Sequence, residues 1–383
     1  MWRRTSMALR PLLGGPAPPP HLQNASPLVT LLRCNNPSAF TLDGTNTYIV
    51  GDGDRRVLID TGDDRHSYAA ALAALVRERH CRIEHIVLTH GHADHIGGLS
   101  HVLAALPDHR PRVWKHAGAP GDAALRSLHV EALVDGQVIA VPGATLRVLH
   151  TPGHTPDSAS LLLAEECSAF VGDCVLGRGS AVFSSLRPYL ASLRALIAVE
   201  PQRLYCGHGP IVGQLPQQAG DSTNSSPSGS ERAPVVDSSE SGTERLRRYL
   251  AHRMRRTEEL IGALRERERG VQVESSSQRG WTVAELVDAQ YQAEGTPFWL
   301  MPAARAVAAL HMHALVEEGI AEAVSPASGD SVLASPASTG IAAGARRTNV
   351  SVDDDGIEST SDRRYTSSST ASQQRFRLRS SQA

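Results

Sequence analysis

The feature that most constrains this chain is the seven-residue segment 89–95, which reads THGHADH. Three histidines and one aspartate stand there within six positions, directly after the apolar run 83–88, which predicts a buried strand. A loop leaving a strand can point His90 and His92 to one side and turn the last two residues of the segment to another. Imidazole nitrogen and carboxylate oxygen are ligands that suit Zn²⁺. The spacing therefore predicts a site for two metal ions rather than one.

Three further candidate ligands follow, each in a glycine-containing turn beside a predicted strand. They are His154 in the segment TPGHT, Asp173 in FVGDC and His208 in CGHG. Glycine permits a sharp backbone turn, which would direct each of these side chains inward. Because the ends of neighbouring strands meet at one edge of a sheet, we expect all of these residues to line a single cleft.

Composition narrows the class of protein. The 383 residues are enough for two domains, and a formal net charge of −2 argues against a protein that coats polyanions with its whole surface. No run approaches the roughly 18 consecutive apolar residues of a membrane span, so we expect no membrane partner. The five cysteines are odd in number and irregularly spaced, which favours a reducing compartment over a disulfide framework.

Hydrophobic periodicity predicts a mixed α/β domain. Helical spacing occurs at residues 66–78, 99–106 and 188–199. Short β-type runs alternate with these helices, at residues 47–50, 57–59, 83–88, 146–149, 160–163, 169–171 and 204–206. Such alternation favours a layered sheet domain over a helical bundle.

Changes in composition divide the chain into five parts. Residues 1–28 form a basic, proline-rich leader, either an organelle transit peptide or a disordered segment, so we expect the mitochondrial matrix or otherwise the cytoplasm. Residues 29–215 hold the predicted sheet domain, and residues 216–243 form a linker rich in serine and proline. Residues 244–323 form a C-terminal helical domain, and residues 324–383 predict a disordered tail.

The C-terminal domain carries its own helix signals. The first helix is predicted at residues 244–269 and is followed by a flexible loop at 274–278. Thr282 and Glu285 form the pattern of a capping box, which predicts the start of a short helix. A further helix is predicted to begin at Met301 and to end near Gly319, which suits the residue after a helix.

The ordered candidate ligands, together with Asp60, resemble those of the metallo-β-lactamase superfamily. The closer resemblance is to its endoribonuclease beta-lactamase-like protein 2 subgroup, on the segments 36–38, 44–48, 170–177, 207–210 and 252–259. It covers roughly residues 30–323. The resemblance implies an α/β fold, an αββα metallo-β-lactamase sandwich followed by a small winged-helix-like helical domain.

The resemblance also implies the role of each site residue. One zinc ion would be held by His90, His92 and His154. The second would be held by Asp94, His95 and His208. Asp173 would bridge the two ions, which predicts two Zn²⁺ per chain.

Two other aspartates have expected roles. The resemblance implies that Asp94 is also the catalytic residue that orients a metal-bound hydroxide. It further implies that Asp60 orients a ligand imidazole, although a turn aspartate before Gly62 is the alternative.

Two positions depart from the subgroup. Arg178 stands where the subgroup usually has an acidic residue, which makes the rim of the site more positive. Cys206 stands where a proline is usual. We interpret Cys206 and Cys174 as small buried residues rather than ligands, because the predicted ligand set is already full.

The substrate is less constrained than the metal site. A water shared by two zinc ions would ionise more readily and attack carbon or phosphorus. From Arg245 to Arg269 there are nine arginines and four glutamates, a helix that could follow a phosphate backbone or simply present a solvated face. The resemblance and this helix favour an endoribonuclease that cleaves single-stranded RNA.

Two alternatives to RNA cleavage stay open. One is a thioester hydrolase of the glyoxalase II or acyl-carrier-protein thioesterase type, which would use the same metal site. The other is a nucleic-acid-binding protein with a structural metal site, although structural zinc sites are usually closed and single.

Overall fold

A computed structural model of the chain describes residues 21–106, 110–213, 236–237, 239–269, 280–293, 301–324 and 374–379. The chain divides into two compact units, Met1–Arg253 and Met254–Ala383. The expected transit peptide, most of the linker, the loop 274–278 and most of the tail lie outside the described residues. Among the helices described, none is both long and apolar enough to cross a membrane.

The described part of the first unit contains two seven-stranded sheets whose strands neighbour one another in chain order. The first sheet consists of β1 (His21–Asn24), β2 (Val29–Arg33), β3 (Asn46–Val50), β4 (Arg55–Ile59), β5 (Arg82–Leu88), β6 (Arg112–Lys115) and β7 (Val130–Ala132). The second consists of β8 (Val138–Val141), β9 (Ala144–His150), β10 (Ala159–Leu163), β11 (Ser168–Gly172), β12 (Arg203–Cys206), β13 (Ile211–Val212) and β14 (Val236–Asp237).

Helices connect the strands that run in parallel. The helices of the first unit are α1 (His66–Glu78), α2 (Ala93–Ile96), α3 (Leu99–Ala105), α4 (Leu186–Ala198) and the beginning of α5 (Gly242–Arg269). Strand β5 runs parallel to β4 and β6, and β11 runs parallel to β12. A parallel pair needs a long crossover, so helices follow β4, β5 and β11.

The main apolar core lies between the two sheets. Tyr48 on β3 meets Phe170 on β11 and Tyr205 on β12, with ring centroids 5.3 Å apart in both pairs. On the outer side of the first sheet, Tyr68 and Leu72 of α1 pack in a second buried cluster. Strands that are buried on both faces are nearly continuous apolar runs, as in the sequence of β5. The αββα sandwich that the resemblance implied is confirmed.

The second unit combines helices with a small antiparallel sheet. Its helices are the end of α5, α6 (Val283–Ala293) and α7 (Met301–Glu317). Its strands are β15 (Trp281–Thr282), β16 (Ala321–Val324) and β17 (Arg375–Leu378), with β17 in the centre. The capping box is present, since Thr282 N donates to Glu285 Oε2 at 2.7 Å and Glu285 N donates to Thr282 Oγ1 at 3.2 Å. This architecture fits the expected winged-helix-like domain.

Three predicted boundaries differ from the structure. The leader was expected to reach residue 28, but β1 pairs with β2 from His21 onward. The linker was expected to reach residue 243, but α5 begins at Gly242 and its first part belongs to the first unit. The tail was expected to be disordered, but β17 pairs with β15 and β16. Phe376 and Leu378 are buried in the second unit, because alternate residues of β17 face its apolar cluster.

Candidate metal centre

The segment 89–95 leaves β5 and places its four candidate ligands at one edge of the sandwich. His90 and His92 lie in the loop, and Asp94 and His95 lie in the short helix α2. His154 follows β9, Asp173 follows β11, and His208 follows β12. The fold thus brings together all seven residues that the sequence singled out, in two groups of converging ligand atoms.

The first group consists of three imidazoles. His92 Nδ1 lies 3.0 Å from His90 Nε2 and 3.0 Å from His154 Nε2. Asp173 Oδ2 lies 3.9 Å from His90 Nε2 and 3.7 Å from His154 Nε2. Four ligand atoms therefore surround one point.

The second group consists of Asp94, His95 and His208. Asp94 Oδ2 lies 3.4 Å from His95 Nε2 and 3.1 Å from His208 Nε2, and the two imidazole nitrogens are 3.3 Å apart. Asp173 reaches this group as well, with Oδ1 3.5 Å from His95 Nε2 and Oδ2 3.2 Å from His208 Nε2. One carboxylate thus stands between both groups.

These separations fit zinc. Ligand atoms about 2.0–2.1 Å from a tetrahedral zinc ion stand roughly 3.3 Å from one another. The separations of 3.0–3.9 Å match that spacing. Asp173 Oδ1 is buried without a hydrogen-bond partner, which is the state expected of an atom placed for a cation. The residues present therefore fit two zinc ions, although the identity and number of the ions stay predictions.

Space at the centre depends on Gly207. A Cβ atom on this residue would lie 2.3 Å from Asp173 Oδ1 and 2.9 Å from His95 Cε1. Any other residue would therefore push into the ligand atoms. Glycine is therefore needed before His208 because there is no space for a side chain, which is a more specific reason than the need for a sharp turn.

Asp60 orients the second group. It is buried at the end of β4, and its carboxylate accepts hydrogen bonds from Thr89 N and Thr89 Oγ1, both at 2.8 Å. The same carboxylate lies 2.7 Å from His95 Nδ1. An Nδ1–H donated to Asp60 turns the opposite nitrogen, Nε2, toward the ligand cluster. The structure therefore decides for the orienting role over the turn aspartate.

Other ligands are held from behind in the same way. His154 Nδ1 lies 2.7 Å from the carbonyl oxygen of Val182, and Thr45 Oγ1 donates to Asp94 Oδ2 at 3.1 Å. Asn36 in turn accepts from Thr45 N at 2.8 Å and donates to Thr45 Oγ1 at 3.0 Å. Sequence reasoning missed Thr45 and Asn36 as site residues. Both stand in the segments that carried the family resemblance, which was the available signal.

The histidines of the two groups differ in the direction in which their pKa is shifted. Burial and the neighbouring imidazoles lower the pKa of His90 well below its usual value and that of His92 to about 4. Burial also disfavours charged His208, but the Asp173 and Asp94 carboxylates outweigh it and raise that pKa to about 9. Burial would raise the pKa of Asp94, but the His95 and His208 rings hold it well below its usual range. Asp94 is therefore ionised, a weak base that can bind a cation or accept a hydrogen bond.

The two cysteines beside ligands behave as predicted. Cys174 and Cys206 are buried, and burial raises the pKa of each thiol to about 12. A thiol with such a pKa stays protonated and is a poor nucleophile and metal ligand.

A second buried charge cluster lies behind the ligand loop. Lys115, the only lysine of the chain, is buried with its Nζ 2.7 Å from Asp157 Oδ2 and also pairs with Asp122. A Cβ on Gly91 would lie 3.4 Å from Asp157 Oδ2 and 3.5 Å from Lys115 Cε. Sequence reasoning missed this cluster, since nothing local in the sequence pairs Lys115 with Asp157.

The arginines of α5 do not form one cationic face. Arg245 and Arg253 are buried in the first unit, so neither belongs to an exposed cationic face of the predicted basic helix. The side chain of Arg255 is 64% exposed and lies 4.0 Å from Glu259, whereas Arg256 donates to Glu259 at 2.9 Å. The exposed part of the predicted basic helix is therefore smaller than its composition indicates.

A family model described as the metallo-beta-lactamase superfamily matches residues 40–208. A beta-lactamase-like protein 2 homolog from Caenorhabditis elegans is 34% identical over 249 residues, which are 64% of this chain and 74% of the relative. An atrochrysone carboxyl ACP thioesterase from Aspergillus fumigatus is 38% identical over 201 residues, 52% of this chain and 61% of the relative.

Solved structures share the fold. A metallo-beta-lactamase family protein from Thermus thermophilus superposes with a TM-score of 0.52 at 22% identity. The superposition covers 79% of this chain and 97% of that protein. At this identity the likeness concerns the fold alone.

Proposed function

This chain belongs to the metallo-β-lactamase superfamily, in its beta-lactamase-like protein 2 group, and we propose that it is a binuclear zinc-dependent endoribonuclease acting on single-stranded RNA. The superfamily and the thioesterases among its relatives make it a metal-binding hydrolase. The observation that carries the binuclear part is Asp173, whose carboxylate lies within 3.9 Å of imidazoles from both ligand groups.

Zinc ions held in these groups would make a shared water more acidic and would stabilise negative charge on the reacting centre. Asp94 is an ionised carboxylate in this cluster, kept in place by the Thr45 hydroxyl. Its side chain is 25% exposed, so it can accept a hydrogen bond that orients a water at the centre. The Nδ1 atoms of His95 and His154 lie 2.7 Å from Asp60 and from the Val182 carbonyl, which directs the opposite nitrogens toward the ligand cluster.

The choice of a phosphodiester substrate rests on Arg178. Its backbone lies against Gly209, since a Cβ there would be 3.0 Å from Arg178 N, and Gly177 N donates to the His208 carbonyl at 2.9 Å. The Arg178 guanidinium is 57% exposed and lies 3.4 Å from Asp43. A guanidinium at the rim of the ligand cluster can form a bidentate contact with a phosphate of the bound strand.

A thioester hydrolase is the second candidate, and a specific observation favours it. The thioesterase from Aspergillus fumigatus is 38% identical to this chain, which lies between the 34% and the 40% of the worm and fly beta-lactamase-like protein 2 homologs. The same zinc chemistry would serve a thioester carbonyl, so the ligand cluster does not separate the two substrates.

The experiment offers both substrates to one zinc-loaded preparation. Cleavage of an end-labelled single-stranded RNA is compared with hydrolysis of an acyl thioester, and Asp173→Ala serves as the inactive control. Arg178→Met should lower kcat/KM for RNA about tenfold, the loss of roughly 1.4 kcal/mol expected for one charge-assisted contact, whereas exposed Arg194→Met should not. Thioester turnover without RNA cleavage would reject the endoribonuclease proposal.

The location and partners are part of the same proposal. An RNA substrate and the basic leader together favour the mitochondrial matrix, and residues 1–20 of that leader stand outside the described residues. Fractionation of cells that express the tagged chain tests this location. Enrichment in the cytosol would reject the mitochondrial location and support the cytoplasmic one.

A further inference from the structure

Three side chains on one face of α5 are buried rather than solvated. Arg245, Tyr249 and Arg253 stand four residues apart, which places them above one another on the helix, and their exposures are 3%, 6% and 3%. All three belong to the first unit. Buried arginines are uncommon unless their donors are used, so their partners define what this face does.

The first two residues bind backbone groups of one segment. Arg245 Nη1 donates to the Gly177 carbonyl at 2.7 Å and to the Leu176 carbonyl at 3.2 Å, while its Nε pairs with Glu240. Tyr249 Oη donates to the Gly179 carbonyl at 2.8 Å and accepts from Leu176 N at 3.2 Å. The helix therefore supplies donors to the carbonyls of this segment, among which that of the buried Gly177 most needs a partner.

Arg253 continues the same row. Its Nη2 donates to Ser180 Oγ and to the Ala181 carbonyl, both at 2.6 Å. Its guanidinium carbon lies 4.9 Å from the Phe183 ring centroid and 5.7 Å from the Tyr189 ring centroid. The hydrogen bonds and the cation–π contacts hold the guanidinium on both its edge and its face.

The segment that these three residues hold connects two parts of the ligand cluster. It runs through residues 174–183, directly after Asp173, and contains no helix or strand. Near its end, the Val182 carbonyl accepts the hydrogen bond from His154 Nδ1 at 2.7 Å. A segment without regular structure has few internal hydrogen bonds, so the position of Val182 depends on outside contacts such as these.

From these contacts we propose that Arg245, Tyr249 and Arg253 form a positioning clamp for the metal centre. The clamp holds residues 174–183 so that Asp173 and the Val182–His154 hydrogen bond keep the ligand geometry. The inference rests on the proposed metal-dependent function and adds positioning residues to it. These arginines thus act on the ligand cluster and not on a phosphate backbone, which removes them from the predicted nucleic-acid surface.

The test compares Arg253→Met and Tyr249→Phe with the matched control Arg247→Met, whose side chain is 60% exposed on the same helix. Zinc affinity is measured by competition with a chromophoric chelator, and the His154 Nδ1 proton is followed by NMR in histidine-labelled, zinc-loaded protein. We expect about tenfold weaker zinc binding for Arg253→Met, a few-fold effect for Tyr249→Phe and none for the control, because partners behind ligands commonly contribute about 10–100-fold. The His154 resonance should shift or broaden in the first two variants only.

Arg253→Lys gives the rescue, since it keeps a donor and the charge but loses the planar fork, and it should bind zinc with intermediate affinity. If Arg253→Met does not fold, this variant and Tyr249→Phe decide the question. A lower melting temperature with wild-type zinc affinity and an unchanged His154 resonance would overturn the clamp. Both readouts work without substrate, so a wild-type protein that cleaves no RNA rejects the proposed function and leaves the clamp standing.

Discussion

Replacing Asp60 by Asn tests how the centre is assembled, because the change keeps the shape of the side chain and removes only its charge. The Asp60 carboxylate accepts two hydrogen bonds from Thr89 and lies 2.7 Å from His95 Nδ1. An Asn oxygen can still accept from Thr89, which leaves the amide NH₂ facing His95. His95 then presents an unprotonated Nδ1 to the amide, and its proton moves to Nε2, the ligand atom.

The size of the expected loss in zinc affinity follows from the position of that proton. If Nε2 of His95 stayed unprotonated to bind zinc, the proton on Nδ1 would face the NH₂ of the new amide, and two donors would oppose each other. The hydrogen bond to a charged group that is lost in this way contributes about 1.5–3 kcal/mol. Since about 1.4 kcal/mol is a factor of ten, zinc affinity at the group of Asp94, His95 and His208 should fall about 10–100-fold. The group that contains His90 should lose less affinity, because Asp60 reaches its imidazoles only through the Thr89 hydroxyl, which lies 3.0 Å from His90 Nδ1.

The assay is a zinc titration against a chelating chromophore, resolved into a tight and a weakened step. Asp64→Asn is the matched control, since that carboxylate lies four residues away and its side chain is 78% exposed. Wild-type affinity for both ions in Asp60→Asn would refute the reasoning. A loss of both ions to the same degree would also refute it, because it would indicate a general collapse of the site.

Three further predictions concern metal content, pH and salt. Asp173→Ala should abolish hydrolysis and lower the zinc content from about two ions per chain, whereas His252→Ala should do neither; elemental analysis with turnover measurements checks this. In the metal-free protein, the His208 pKa is raised to about 9, so its contribution to folding stability is full below about 6.5 and is lost as the pH rises through 9. Chemical denaturation between pH 6 and 10 should show that decline, on the order of 3 kcal/mol, and a slope that persists in His208→Gln would contradict it. If Arg255 and Arg256 contact RNA phosphates, each change to Ala should make the negative slope of log affinity against log salt shallower by roughly 0.7, measured by fluorescence anisotropy.

Local sequence determined most of the sandwich. The helix predicted at residues 66–78 is α1 with the same bounds, and residues 83–88 form most of β5. Both are long segments with strong periodicity, where local preference and the tertiary environment agree. The ends of the domains were harder. Strand β1 pairs with the nearby β2, but it follows a proline-rich stretch whose composition indicated a leader. Strand β17 pairs with β15 and β16, which lie far earlier in the chain, and such pairing leaves no local signal.

The metal centre divides in the same way. The residue types and spacing of segment 89–95 predicted a two-metal cluster by themselves, because imidazole and carboxylate groups at this density have few other uses. Which group orients each imidazole was not set by the spacing of residues. The resemblance implied an orienting role for Asp60 without naming its imidazole, and the contacts of Asp60 with His95 and of His154 with Val182 arise where the strand ends meet.

Tertiary structure alone decided what the arginines of α5 do. Their number in the sequence indicated a cationic helix, and composition cannot tell a solvated arginine from a buried one. The fold turns Arg245 and Arg253 toward the carbonyls of residues 174–183 and leaves Arg255 exposed. The physical reason is that a segment without its own hydrogen bonds needs donors, and the nearest helix face supplies them. Composition therefore shows how many arginines the helix has, and only the packing determines which of them are exposed and which bind carbonyls.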